Sequence, residues 1–291
     1  MAGVGVFLSI SAAFFKATKS ILNKYAVELV NEFTVSWAIR FVSVFIFAVF
    51  LLSFRNVYVP SSNVFWWALL VNSIGLSMTT ILISKAFQKS DISVISPILG
   101  LVPIAVVFPA IILLQETPSR LSGIGIVLVS IGIYLLHYDK TTSIFKPVLR
   151  LRDDTGVQLV VIALAIISIL PSIDKIGIQN SSPIIWVFST HIVTALILFI
   201  VALYFDEQFS NSVERNWKLL CVLGTASAMI WIVQAYAYTM LNVSYVQAIK
   251  RGSILISILV GGLIFNEQNY CERLVGGGII FCGIVLVVIG I

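Results

Sequence analysis

Six basic side chains lie inside the apolar, helix-length segments of this sequence, and they are its best candidates for binding chemistry. A charge in the hydrocarbon core of a membrane costs ~3 kcal/mol or more, so it is retained where it faces water or a partner. The acidic residues are all assigned to segment ends or loops, so we expect the counter-charge to be an anionic ligand. The six residues are Lys16, Lys19, Arg40, Lys85, Lys250 and Arg251.

The strongest candidates are two adjacent cations in the ninth apolar segment. Lys250 and Arg251 point about 100° apart on a helix, so they cannot both face lipid comfortably. They also repel each other unless an anion lies between them. Gln247 precedes them by about one turn on the same helical face. We therefore expect Gln247, Lys250 and Arg251 to line a ligand cavity.

The first three segments contribute the other cations. Lys16 lies ~18 Å along its helix, too deep for its ammonium to reach a membrane surface easily. Lys19 is on the same polar stripe, although it could also extend to the surface. Arg40, ~10 Å into its segment, either binds a carboxylate or phosphate in a bidentate fork or extends toward the headgroups. Lys85 is interpreted as lying at the membrane interface. It stays a candidate for ligand binding because the same helix carries a polar stripe.

Composition places the chain in a membrane. Of its 291 residues, 59% are hydrophobic and 11% are charged, whereas a soluble domain carries about 25% charged residues. Ten segments provide the ~20 apolar residues that cross a bilayer as a helix. They cover residues 4–23, 33–54, 64–87, 92–114, 121–136, 157–178, 184–205, 217–240, 245–265 and 274–291. We predict an all-α, multi-pass protein of the cell membrane (plasma or inner membrane) with ten transmembrane helices.

Several function classes find no support in the sequence. The net charge of +5 does not indicate nucleic-acid binding, because the basic residues lie in spans and short loops. The cysteines and histidines are too few and too scattered to suggest a metal site. The sequence offers no recognisable catalytic nucleophile, carboxylate–histidine pair or nucleotide-binding loop. We therefore expect neither an enzyme nor a protein that depends on a metal or cofactor.

The sequence carries an internal duplication. Shifted by 151 residues, it aligns with itself without gaps from the end of the first span to the end of the fourth, so that Lys24 meets Lys175 and Trp66 meets Trp217. Each half has five spans, an odd number, so the second half must enter the membrane from the opposite side. The prediction is two inverted five-helix repeats, residues 1–140 and 156–291, joined by a charged linker at 141–155.

The duplication also pairs polar side chains. Arg40 aligns with His191, and the polar stripe of the third span aligns with one in the eighth that contains Trp231, Gln234 and Tyr238. In carriers built from inverted repeats the substrate site lies at the repeat interface near mid-bilayer. We therefore expect these side chains to line the cavity, with hydrogen bonding between helices as the alternative.

A glutamate closes the fourth span of each half, and a small-residue motif follows it. The motifs are Leu114-Gln-Glu116 with Leu121-Ser-Gly123, Phe265-Asn-Glu267 with Leu274-Val-Gly276, and Ala248-Ile-Lys250-Arg251-Gly-Ser253. With these motifs in a five-plus-five duplication, the chain resembles the drug/metabolite transporter superfamily, EamA type. Its Lys-Arg pair is similar to that of the triose-phosphate translocators.

The resemblance implies a secondary active transporter that moves a small organic anion, phosphorylated or carboxylate, by alternating access with exchange or proton coupling. The Lys-Arg pair then implies anion or phosphate binding. The basic residue that the phosphate translocators carry in the fourth span has no counterpart, because residues 92–114 contain neither Lys nor Arg. The expected partners are an anionic small molecule and membrane lipid, and a homodimer through the glycine-rich fifth and tenth spans stays open.

Two other functions stay open. One is export of amino acids or amphiphilic drugs, in which Asp174 or Glu28 would pair with the cations. The other is translocation of a polyprenyl phosphate or another anionic lipid, which requires a lateral opening.

Further expectations concern the scaffold. Glu116 and Glu267 lie at span ends, where a carboxylate stays hydrated, so we expect a structural role for both. Pro171 is expected to interrupt the sixth span.

The orientation of the chain is predicted differently by two arguments. Most loop lysines and arginines follow odd-numbered spans, which predicts that both termini lie outside. The resemblance instead implies cytoplasmic termini.

Overall fold

The computed structural model describes residues 1–53, 60–136, 153–264 and 270–291, and within these ranges the secondary structure is entirely helical. The apolar runs of the sequence form helices because a helix satisfies every backbone hydrogen bond within its own segment. The helices are α1 (Ala2–Leu29), α2 (Glu32–Ser53), α3 (Asn63–Lys89), α4 (Ile92–Gly100), α5 (Val102–Leu114), α6 (Arg120–Leu136), α7 (Thr155–Gln179), α8 (Pro183–Phe205), α9 (Phe209–Met240), α10 (Val243–Lys250), α11 (Ser253–Ile264) and α12 (Tyr270–Ile289).

These helices confirm the predicted fold class. In the described ranges, eight stretches are long and apolar enough to cross a membrane, and the apolar helices of the fifth and tenth spans are shorter. The fourth span combines α4 with α5, and the ninth combines α10 with α11. The chain is therefore an all-α, multi-pass membrane protein, with eight long candidate spans and two shorter apolar helices among the described residues.

The chain folds as two compact units. Unit 1 consists mainly of Gly3–Thr80 and Ile173–Met240, and unit 2 mainly of Ile81–Ser172 and Leu241–Ile291. Each unit therefore combines segments of both predicted repeats, and the division falls within α3 and α7. The repeat boundaries proposed above, 1–140 and 156–291, stay a prediction.

In unit 1 the second spans of the two repeats, α2 and α8, pack against each other in opposite directions. The Phe33 ring stacks on Phe205 with centroids 4.9 Å apart, and the Trp37 and Phe199 centroids lie 5.6 Å apart. Residue numbers rise along α2 as they fall along α8, so the helices are antiparallel. Equivalent helices that run antiparallel are what inverted repeats require.

In unit 2 the fifth spans of the two repeats, α6 and α12, are also antiparallel. A Cβ atom on Gly125 would lie 2.5 Å from the Gly283 carbonyl oxygen, and one on Gly132 would lie 2.9 Å from that of Gly276. The two backbones therefore touch, as small residues permit. These four glycines form an intramolecular scaffold, whereas a Cβ atom on Gly123 would meet nothing within 4 Å.

Gly224 lets α9 approach α2 closely in unit 1. A Cβ atom there would collide with the side chain of Val42, and the Gly224 carbonyl lies 3.0 Å from the Ser43 hydroxyl, which can donate to it. Ile39 and Leu223 are buried in the apolar cluster beside this contact. This packing fixes α2 and α9, the two helices that carry Arg40 and Trp231.

Unit 2 contains two helix breaks at equivalent positions of the repeats. At the junction of α4 and α5, the Leu101 N–H donates to the Ile98 carbonyl at 3.1 Å. At the junction of α10 and α11, the Arg251 N–H donates to Ala248 at 3.0 Å, and Gly252 also bonds three residues back. These are 3₁₀ turns inside a span, a feature that often marks a hinge. The ninth span is therefore two helices, α10 and α11, with the break directly after Lys250.

Two expectations about helix ends are corrected by the structure. Pro171 does not interrupt the sixth span, because α7 runs through it from Thr155 to Gln179. The polar stretch 206–216 was expected to be a connector, but α9 already begins at Phe209 and departs from helical geometry only at Asn216. Pro171 is thus accommodated within a continuous helix, whereas the kink at Asn216 coincides with the predicted start of the eighth span at residue 217.

Candidate functional site

Arg40 and His191 meet at the centre of unit 1. The Nη1 atom of Arg40 lies 2.8 Å from Nε2 of His191, and the guanidinium lies over the Trp231 ring, 5.0 Å from its centroid. A guanidinium over an indole face forms a cation–π contact that holds the plane of the fork. Arg40 is therefore oriented by two neighbours and does not extend along α2 toward the headgroups.

His191 is completely buried, and its hydrogen bonds define its protonation state. Its Nδ1 lies 2.8 Å from the Val187 carbonyl, which can only accept, so Nδ1 carries a proton. Its Nε2 faces Arg40, whose N–H groups can only donate, so Nε2 is unprotonated. His191 is thus the neutral Nδ1–H tautomer, enclosed by the Phe47 ring at 4.8 Å and the Trp231 ring at 5.2 Å.

The Arg40–His191 contact lies on the internal symmetry axis. The two residues are 151 positions apart, which is the offset of the duplication, so each occupies the same place in its repeat. Each is also eight residues from the start of its helix, at Glu32 and Pro183, or ~12 Å along it. Residues at equivalent positions of two repeats can contact each other only near the two-fold axis that relates the repeats. In inverted repeats this axis lies in the membrane plane near mid-bilayer.

Lys19 brings a second cation to this region. Its ammonium donates to the Ser227 hydroxyl at 3.3 Å, and its charge repels that of Arg40. An ammonium has three donors and a guanidinium five. Within the described part of the chain, Lys19 has this one hydrogen bond and Arg40 has only the one to His191. Both cations therefore have donors to offer a ligand.

Asp174 is a buried acid inside α7, so the expectation that no acidic residue lies within a span is wrong. Its side chain is 4% exposed. Its Oδ1 accepts from the Asn72 amide at 3.0 Å and from the Trp186 indole N–H at 2.8 Å. These donors offset the cost of burying the carboxylate, and its charge attracts that of Arg40.

A narrow cleft in unit 1 connects the carboxylate with the aromatic residues. Asp174, Trp186 and Trp231 line it, as do Gln234 and Tyr238. The Gln234 amide donates to the Tyr238 hydroxyl at 3.0 Å, and both side chains are buried. The three residues predicted on the eighth span thus face one cleft.

The six predicted cations are divided between the two units. Lys16, Lys19 and Arg40 belong to unit 1, and all three are partly exposed. The three in unit 2 are also partly exposed; they are Lys85, Lys250 and Arg251. Within a unit, the structure joins Lys19, Arg40 and His191 into one cluster with Trp231.

Arg251 lies in the helix break of unit 2. Its Nε atom is buried and has no hydrogen-bond partner among the described residues. Gln247, one turn earlier on α10, is 6% exposed. An unsatisfied buried N–H of a guanidinium is costly, so Arg251 is the feature of unit 2 that best fits an absent acceptor.

Glu116 has the structural role that was expected. Its carboxylate accepts from the Val243 N–H, the first residue of α10, at 2.8 Å. A negative charge at this position satisfies an otherwise unpaired helix N–H and complements the helix dipole. Glu267 lies outside the described residues. Among the described residues, no group of histidine, cysteine and acidic side chains could hold a metal ion.

Sequence reasoning missed two supporting residues of the cluster, Asn72 and Trp186. It named Asp174 only as a partner of the cations in the alternative function, although Asp174 falls inside the apolar segment 157–178. Asn72 and Trp186 carry no such signal, since amide and indole side chains occur in several of the spans.

The chain matches the EamA-like transporter family twice, over residues 3–138 and over residues 154–289. Its fold is similar to that of a solved protein described only as a crystal structure, with a TM-score of 0.77 and 12% identity over 97% of this chain and 95% of the other. At that identity the likeness concerns the fold alone. No curated protein matches the chain. Because the two family matches cover both halves, the chain belongs to the EamA-like transporter family.

Proposed function

We propose that this membrane transporter is a secondary carrier of a small organic anion, with Arg40 and Lys19 as the central anion-binding side chains. The observation that supports this most is their unused hydrogen-bonding capacity at the symmetry axis. A guanidinium binds a carboxylate or phosphate in a bidentate fork. An anion between Arg40 and Lys19 would also remove their mutual repulsion.

The charge of the cluster favours an anion. Lys19 and Arg40 are cationic and His191 is neutral by its hydrogen bonds. Asp174 contributes the negative charge. These four side chains therefore carry one net positive charge, and a bound monoanion would neutralise it. In a membrane, where uncompensated charge is costly, this neutralisation is the driving force of the proposed site.

Alternating access fits the broken spans of unit 2. The helix breaks beside Leu101 and at Arg251–Gly252 occupy equivalent positions of the two repeats. Interrupted helices at corresponding positions are typical of carriers, in which they supply hinges and free polar groups near the substrate. In unit 2, Arg251 lies at such a break, and its buried Nε–H has no hydrogen-bond partner among the described residues.

The proposal can be tested by thermal unfolding of the purified protein with lactate, fumarate and glycerol phosphate. We expect at least one anion to stabilise the wild type and not Arg40→Gln. Lys218→Gln is the matched control, because Lys218 is an exposed cation on α9. Stabilisation that survives unchanged in Arg40→Gln would contradict the proposed site.

Export of amino acids is the second candidate, and Asp174 favours it. A zwitterion presents a carboxylate to Arg40 and an ammonium to a buried carboxylate beside aromatic faces, which attract cations. Trp231 contacts Arg40 and also lines the Asp174 cleft. Amino acids that stabilise the protein where the matching carboxylates do not would favour this alternative.

A further inference from the structure

The Arg40–His191 contact requires that His191 carry no proton on Nε2. The same atom is the only basic position left on the ring, because Nδ1–H is bound to the Val187 carbonyl at 2.8 Å. The single lone pair of Nε2 accepts the Nη1–H of Arg40, and the two nitrogens are 2.8 Å apart. A proton on Nε2 would have to occupy that same lone pair. The two cannot be present together.

We propose that His191 is the proton-coupling residue of the carrier, so that binding of the anion at Arg40 and of a proton at His191 Nε2 promote each other. This inference rests on the proposed anion site. When an anion accepts the Nη1–H of Arg40, the Nε2 lone pair becomes free and takes up one proton. When the anion leaves, the proton leaves and Arg40 returns to His191.

The charged groups around His191 give the direction of this coupling. Arg40 faces it from α2, and the charge of Lys19 acts on it from α1. Asp174 of α7 acts on Arg40, while α9 presents the uncharged ring of Trp231. Without an anion, a proton on His191 would add a positive charge beside two cations. A bound anion offsets that repulsion, so proton and anion bind cooperatively.

Cooperative binding makes the coupling a symport. Linkage is reciprocal, so the factor by which a proton raises anion affinity equals the factor by which the anion raises proton affinity. The species carried together are one anion and one proton. A monoanion would then cross with no net charge, and a pH difference across the membrane would drive its movement.

The test measures binding of three probe anions to the purified protein between about pH 6 and pH 8, where an ordinary histidine changes charge. Lactate, fumarate and methyl sulfate are suitable because their own charges stay constant in this range. In the wild type we expect affinity to rise as the pH falls, by at most about tenfold per pH unit for one proton. His191→Gln keeps an acceptor for Arg40 but cannot bind the proton, so its affinity should not depend on pH when it is made in a Lys19→Gln background, where Lys19 cannot titrate.

Proton uptake provides a measurement that needs no variant. Anion binding to the wild type should take up as much as one proton per site, measured by calorimetry in buffers of different ionisation enthalpy. Anion binding without proton uptake, or pH dependence retained in His191→Gln in the Lys19→Gln background, would overturn the coupling and leave the anion site standing. No binding of any probe at any pH would overturn both proposals.

Discussion

Each unit contains one antiparallel pair of equivalent helices, but the two pairs are held together by different chemistry. In unit 1, α2 and α8 meet through aromatic rings and the Arg40–His191 contact. In unit 2, α6 and α12 meet backbone to backbone through glycines. The same symmetry thus produces a polar contact with unused donors in one unit and a closely packed scaffold in the other.

The difference indicates where the molecule can change without losing its fold. Side chains such as Arg40 have several rotamers and can exchange one acceptor for another. Backbones at contact distance allow no such exchange, because protein interiors are close-packed. The helix breaks lie in unit 2 with the glycine scaffold. The helix breaks and the glycine scaffold are therefore features of unit 2, and the proposed anion-binding side chains Arg40 and Lys19 belong to unit 1.

The largest effect is expected from filling the glycine contact. Gly125→Val would place a side chain 2.5 Å from the Gly283 carbonyl and 2.8 Å from the Val287 backbone nitrogen, where neither can yield. We expect loss of the folded protein, since overpacking at a backbone contact costs about 3 kcal/mol or more. Size-exclusion yield and thermal unfolding measure it. Gly123→Val is the control on the same helix, and equal damage in both variants would contradict the scaffold.

The next largest effect is expected at the polar contact of unit 1. Arg40→Gln should lower the affinity for a stabilising carboxylate by roughly 10- to 100-fold, because a hydrogen bond to a charged group contributes about 1.5–3 kcal/mol. The fold should survive. Equilibrium binding by calorimetry measures the change. Arg251→Gln extends the comparison to unit 2, and a larger loss there than in Arg40→Gln would move the centre of the anion site out of unit 1.

A smaller effect of opposite sign is expected at Asp174. Asp174→Asn removes a negative charge near Arg40 but keeps an oxygen that can accept from Asn72 and Trp186. Affinity for a simple carboxylate should rise by roughly three- to tenfold, as the loss of one repulsive charge in a partly polar site predicts. Competition binding with lactate and with alanine separates the anion carrier from the amino-acid exporter. Alanine binding that falls while lactate binding rises would favour the amino-acid exporter.

The smallest effect on anion binding is expected at the end of the α2–α8 pair. The Thr34 hydroxyl donates to the Asp206 carboxylate at 2.6 Å. Thr34→Val should lower the free energy of unfolding by about 1.5 kcal/mol, at the low end of the value for a hydrogen bond to a charged group, without changing anion affinity. Thr225→Val is the control, because Thr225 is exposed and bonds only its own helix. A loss of anion affinity in Thr34→Val would contradict this expectation, because it would show that the Thr34–Asp206 hydrogen bond influences the anion site at Arg40.

The fold was predictable because the lengths and the number of the apolar segments can be read from the sequence without knowledge of tertiary contacts. The breaks at Leu101 and Arg251 lie beside Pro103 and Gly252, which are breaker residues. Their exact positions were not predictable, since other prolines and glycines of the spans leave the helix continuous. Asp174 was misplaced because a carboxylate inside a span depends on partners from other helices, here Asn72 and Trp186. The alignment of Arg40 with His191 was visible in the sequence. Their contact was not, because it depends on which helices lie at the axis.

The position of Arg40 and His191 also bears on ancestry. A homodimer of one repeat would set identical side chains against each other at this place. Two arginines there would repel, and neither could accept a hydrogen bond from the other. Two repeats that mutate independently can place a donor-only arginine opposite an acceptor. The Arg40–His191 pair is thus a feature that requires the two repeats to differ in sequence, as the duplicated halves of this chain do.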